Sequence, residues 1–156
     1  MYHIMRAKLL PAVLLICFTS CHPLTCSWEL GYKQLTTAPN RTELIGKYEL
    51  TQSSKEFLIE QGFRTHAYSL ILSKDGSYKF TNGPDFIFNN WGVSNQKVFN
   101  KEGKWSVNCA KSYGCLLELE KVCVVPLSQK DRKLSIMITI GDGDECNGIV
   151  YKKLEN

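Results

Sequence analysis

The sequence predicts an all-β domain, an antiparallel β-barrel or sandwich with at most one short helix. Two observations carry that expectation. Apolar residues recur at every second position in segment after segment, the period of half-buried strands. Between these segments stand short turn signals, of which Asp75-Gly76 is the plainest. Seven to nine strands fit into about 110 residues on this reading, a spacing that suits a barrel or sandwich.

The chain of 156 residues opens with a short segment carrying Arg6 and Lys8, followed by an apolar run from Leu9 to Phe18 and the small residues Thr19-Ser20 before Cys21. Positive, apolar and small-residue regions in that order make a secretory signal. The apolar run is about half of the roughly 20 residues a spanning helix needs, and Pro11 interrupts it. Phe18-Thr19-Ser20-Cys21 resembles the bacterial lipobox. The resemblance implies that residues 1–20 are a lipoprotein signal peptide and that Cys21 is acylated on sulfur and becomes the new N-terminus. The membrane is then a partner through acyl chains of the palmitate type. Pro23-Leu24-Thr25-Cys26 offers a second, less regular site, and ordinary cleavage to a soluble secreted protein is the remaining reading. His22 follows Cys21 where an Asp would favour inner-membrane retention, so the resemblance points to the cell envelope and, where one exists, the outer membrane.

Residues 21–42 are polar and broken by Pro39-Asn40, and read as a lipidated tether with room for a short strand; residues 43–156 read as the domain. Within it Tyr48 and Leu50 share a face, as do Tyr68, Leu70 and Leu72, before Asp75-Gly76 turns the chain into SYKF. Ser53 to Glu56 has capping-box spacing and Gly62 could end a short helix, though a strand over Phe57 to Phe63 fits as well. Trp105 pairs with Val107, and Leu117 with Leu119. Leu134, Ile136, Ile138 and Ile140 should face inward while Ser135, Met137 and Thr139 face out, and Ile149 with Tyr151 completes a last strand.

Gly46 and Tyr48 in the first strand, with Gly103 and Trp105 in a later one, resemble the pattern of small lipocalin-like bacterial domains. That likeness spans Glu43 to Leu154 and implies a β-barrel that binds something at an open end.

Of seven cysteines, Cys17 leaves with the signal and Cys21 takes lipid. Cys26, Cys109, Cys115, Cys123 and Cys146 remain, an odd number in an oxidising compartment, so one stays free or pairs between molecules. Cys109 and Cys115 flank a loop short enough to be stapled at a strand turn; Cys123 and Cys146 could join neighbouring strands. The absence of any C-x-x-C pair and the scarcity of histidine argue against zinc.

Of 19 basic residues, 17 lie outside the leader against 15 acidic ones, a balance too even for nucleic-acid binding. Asp142, Asp144, Glu145 and Asn147 in GDGDECNG offer oxygen ligands, but the loop reads first as a polar turn. His66 is isolated and Asp75 is explained by its turn, so no catalytic group, metal or cofactor is assigned. PDFIFNNWG places Phe86, Phe88 and Trp91 among turn residues, a candidate binding edge as well as a barrel-closing segment. The functional expectation is a non-enzymatic binding module of the envelope, for a small ligand or a protein. The alternative is an inhibitor or immunity-type lipoprotein that acts through a stapled loop.

Overall fold

The computed structural model describes residues 26–64, 67–88 and 93–155. Its elements are β1 (Lys33–Gln34), α1 (Arg41–Leu44), β2 (Gly46–Leu50), α2 (Gln52–Glu60), β3 (Ser69–Leu72), β4 (Ser77–Pro84), β5 (Val98–Ala110), β6 (Gly114–Leu119), β7 (Cys123–Lys130), β8 (Lys133–Thr139) and β9 (Gly148–Lys153). Strands β2 to β9 pair antiparallel in chain order, and β9 closes onto β2, with Leu50 opposite Tyr151. The result is an eight-stranded up-and-down barrel in which every strand but β1 has a neighbour on both sides. Among the described residues no helix is long and apolar enough to cross a membrane.

The alternation predicts which side chains point inward. Tyr48, Leu70, Leu72, Phe80, Leu117, Leu119, Leu127, Ile136, Ile149 and Tyr151 are almost wholly buried and belong to one core. Phe80 meets Tyr151 edge-on at 5.3 Å between ring centroids, the arrangement that the charge distribution of aromatic rings favours. Gly103 leaves space for the Tyr78 ring, whose hydroxyl donates to the Glu120 carbonyl at 2.8 Å. Trp105, two residues on, donates from Nε1 to the Ser73 carbonyl at 3.1 Å, and the Arg41 guanidinium lies 4.7 Å above its ring. The Gly-x-Trp pair therefore ties β5 to α1 and to the β3–β4 turn. That turn forms at Asp75-Gly76: Asp75 accepts from the backbone and hydroxyl of Ser77, and Gly76 takes a φ of 80°.

Helix α2 occupies the segment that sequence left between helix and strand. Its cap is Thr51 rather than Ser53, because Thr51 Oγ1 accepts the Ser54 amide. The Ser54 hydroxyl is used elsewhere: it accepts the Val150 amide at 2.8 Å and so pins the helix to β9.

Two elements differ from the sequence expectation. Strand β7 carries no clean alternation signal because Pro126 sits within it. Pro126 falls opposite Leu116 at the end of the pairing with β6, next to where Leu127 begins the pairing with β8, so a missing N–H is tolerated there. The second difference is the segment expected to be a tether. From Cys26 onward it is fastened to the barrel: Cys26 bonds to Cys146, Trp28 lies against Gly148, and β1 pairs with β7 through Lys33–Gln129 and Gln34–Ser128. The Leu35 carbonyl then accepts the Cys115 amide at 2.7 Å. This strap crosses the outside of β9, β8 and β7, where the outward-facing Ser135, Met137 and Val150 are buried. Local composition does not reveal such a strap, since its contacts are 79 or more residues away in sequence.

The barrel has two distinct ends. At the α1 end lie the β3–β4, β5–β6 and β7–β8 turns, the start of β2 and the end of β9. At the α2 end lie residues 51–64, 67–68, 85–88, 93–97, 120–122 and 140–147. Leu44 of α1 and Leu58 of α2 are both buried in the core that runs between them.

Candidate functional site

The barrel interior is occupied by its own side chains. Large inward residues from all eight strands fill it, with Leu44, Leu58, Phe63 and Phe86 packed in from the connecting segments. Tyr151 is completely buried there, and its hydroxyl has no hydrogen-bond partner among the described residues; burial holds its pKa well above the ordinary tyrosine value. Cys123 faces the same interior, and burial pushes its thiol up to about 12, so it is a poor nucleophile.

The aromatic segment singled out in the sequence divides. Phe86 is buried and meets Phe63 edge-on at 5.6 Å. Phe88 is partly buried, with Phe80 at 6.1 Å and the exposed Phe99 at 5.8 Å. Both sit on a single 3-10 turn, Asp85–Phe88, that folds back onto the α2 end of the barrel. Asp85 secures it, accepting from the Ser94 hydroxyl and the Asn95 amide, each at 2.6 Å. Trp91, like Cys21 and His66, lies outside the described residues.

Cys109 and Cys115 form a disulfide across the β5–β6 hairpin, directly opposite each other in register. Lys111, Ser112 and the exposed Tyr113 form its tip. The strap braces this hairpin, since Gln34 donates to the Tyr113 carbonyl at 2.7 Å. The second pairing expected from sequence is not present: Cys146 bonds to Cys26, across 120 residues, and Cys123 is left as a free thiol. Cys123 starts β7 facing inward, whereas Cys146 sits in the β8–β9 turn in a left-handed conformation, facing the strap.

Near the stapled hairpin, at the same α1 end, a cleft of about 700 Å³ opens between the strap, the β7–β8 turn and the end of β9. Leu35, Pro39, Leu134 and Leu154 supply apolar lining, and Arg132, Lys133, Lys153, Glu43 and Glu155 supply charge. Lys133 pairs with Glu155 at 2.5 Å, which lowers the Glu155 carboxyl pKa below its ordinary value. Lys153 donates to the Glu43 carbonyl. No local pattern marks this cleft, because the strap and residues 153–155 meet only once the barrel has closed. Its volume is within the range of sites that take a small molecule or a few side chains of a partner.

The other chemistry-bearing residues do not converge. Asp142, Asp144 and Glu145 lie on or beside the 3-10 turn Gly143–Glu145, and among the described residues no three His, Cys, Asp or Glu side chains form a group that could hold a metal. Compared with protein-family models, curated proteins and solved structures, the chain matches none. Fold and site together therefore define the molecule: a closed, filled up-and-down barrel with an external cleft and a disulfide-stapled hairpin at one end.

Proposed function

We propose that the protein is a lipid-anchored, non-enzymatic binding module of the bacterial cell envelope that takes a protein partner at its α1 end. The observation that carries the reading is where space lies: side chains occupy the barrel, and the cleft is outside it, near a rigid hairpin. Among the described residues the filled barrel leaves little room for a small ligand inside it. An external cleft with mixed apolar and charged lining suits a partner segment that presents an apolar side chain and a carboxylate toward Arg132.

Anchoring is supported by the leader and by the fate of Cys26. Its sulfur is shared with Cys146, so of the two cysteines that follow the apolar run, Cys21 is the one left to form a thioether. A diacylglyceryl group with an amide-linked chain exceeds the single acyl chain that binds only marginally. Affinity capture with the mature lipidated protein from envelope extract tests the reading, with an Arg132→Glu, Tyr113→Ala variant as control. A protein recovered by the native chain and lost with the variant is the expected result. Equal recovery by both, or lipid recovered without protein, refutes it.

A second reading has its own observation. The Cys109–Cys115 staple and the Gln34 brace hold Tyr113 on a stiff protrusion, the form of a loop inserted into an enzyme's cleft. The partner would then be an enzyme whose activity falls on binding.

A further inference from the structure

We infer that the α2 end of the barrel rests on the bilayer, so that the cleft and stapled hairpin point away from it. The inference rests on the anchoring proposed above and adds the orientation. Its first support is the disulfide. Without the strap, a tether ending at residue 42 would let the domain swing freely. With Cys26 bonded to Cys146, only five residue steps separate Cys21 from the β8–β9 turn, a reach of roughly 17 Å even when fully extended. The β7–β8 turn lies a strand length away from that attachment, at the opposite end.

The leash alone permits the barrel to stand or to lie on its side. The exposed apolar side chains choose between these. Ile59, Val93, Phe99 and Val124, each 43–60% exposed, lie at the α2 end, from four different segments. The α1 end shows Leu30, whose carbonyl accepts from Lys130 beside the β7–β8 turn, with Tyr113 and Leu154. Phe99 continues the edge-on ring series from Phe80 through Phe88, so the apolar surface is continuous with the core. Charge at the α2 end leans acidic, with Glu56, Glu60, Glu120, Asp142, Asp144 and Glu145 against Lys55, Arg64, Lys97 and Lys121, which suits a zwitterionic surface rather than an anionic one. Exposed apolar side chains held within reach of headgroups by a covalent leash have the bilayer as their natural cover.

Amine footprinting on vesicles tests this. The lipidated full chain is floated with phosphatidylethanolamine–phosphatidylcholine vesicles and acetylated briefly. Each lysine's rate is then divided by its rate in the unlipidated Cys21→Ala chain. Lys97 and Lys121 at the α2 end should slow at least fivefold, while Lys74 and Lys111 at the α1 end, all four being exposed, should change less than twofold. Flotation with equal protection at both ends, or with Lys74 and Lys111 protected, overturns the orientation and leaves the anchoring intact. Failure to float overturns both.

Discussion

The two disulfides close loops of very different length, and that difference sets a sharp prediction about what holds the strap. Cys26 and Cys146 are 120 residues apart, Cys109 and Cys115 six. In the loop-closure account, a cross-link restricts the unfolded chain by an amount that grows with the logarithm of the loop. At 25 °C the long loop gives about 5 kcal/mol and the short one about 2.3 kcal/mol. For a domain of this size each kcal/mol moves Tm by about 2–4 °C. The Cys26→Ala, Cys146→Ala protein should therefore melt about 10–20 °C lower, and the Cys109→Ala, Cys115→Ala protein about 5–9 °C lower. Thermal unfolding followed by near-ultraviolet circular dichroism reads both. A long-loop variant that melts no lower than the short-loop one would refute the reasoning, since the strap would then be held by something other than the bond.

Other outcomes follow from single contacts. A Cβ at Gly148 would collide with the Trp28 indole, so Gly148→Ala should cost about 1–3 kcal/mol in urea unfolding. Trp28→Ala should recover most of that cost in the double variant; additive losses would show that the strap does not press on β9. Tyr48 is buried, with its hydroxyl donating to the Leu44 carbonyl at 2.7 Å, and its pKa is raised chiefly by burial. A raised folded value means the stabilisation is complete below the unfolded tyrosine pKa of about 10 and is lost as pH climbs above it. Tyrosinate absorbance near 295 nm should then rise together with unfolding, and smooth titration of a protein that stays folded contradicts this. Cys123, with a thiol pushed up to about 12, should resist iodoacetamide at pH 7.5 until denaturant is added. Rapid labelling of the native protein would place the thiol at the surface.

The barrel was legible because its strands bury one face, and burial imposes a two-residue period that the chain displays openly. Ile136 and Ile138 are buried in the core as their spacing predicts, and Leu134, partly buried, packs against its edge where the cleft opens. The Asp75-Gly76 hairpin is local chemistry and forms where the dipeptide stands. What stayed hidden depends on contacts distant in sequence. Met137 looks like a solvent-facing residue by its spacing, yet it is buried, on a strand that lies between β7 and β9, both of which the strap contacts. Cys146 has several possible partners in one dimension, and only the strap brings Cys26 beside it. Phe86 and Phe88 illustrate a different limit: aromatic residues among turn formers fit a binding rim and a barrel plug equally well, and here Phe86 is packed into the core.

The intact mass of the native protein, purified from its own membranes, bears most directly on the anchored-module account. A chain beginning at Cys21, heavier by a diacylglyceryl group and an acyl chain, with two fewer pairs of thiol hydrogens than the reduced sequence, is the predicted result. A chain that begins elsewhere with an unmodified sulfur would contradict it.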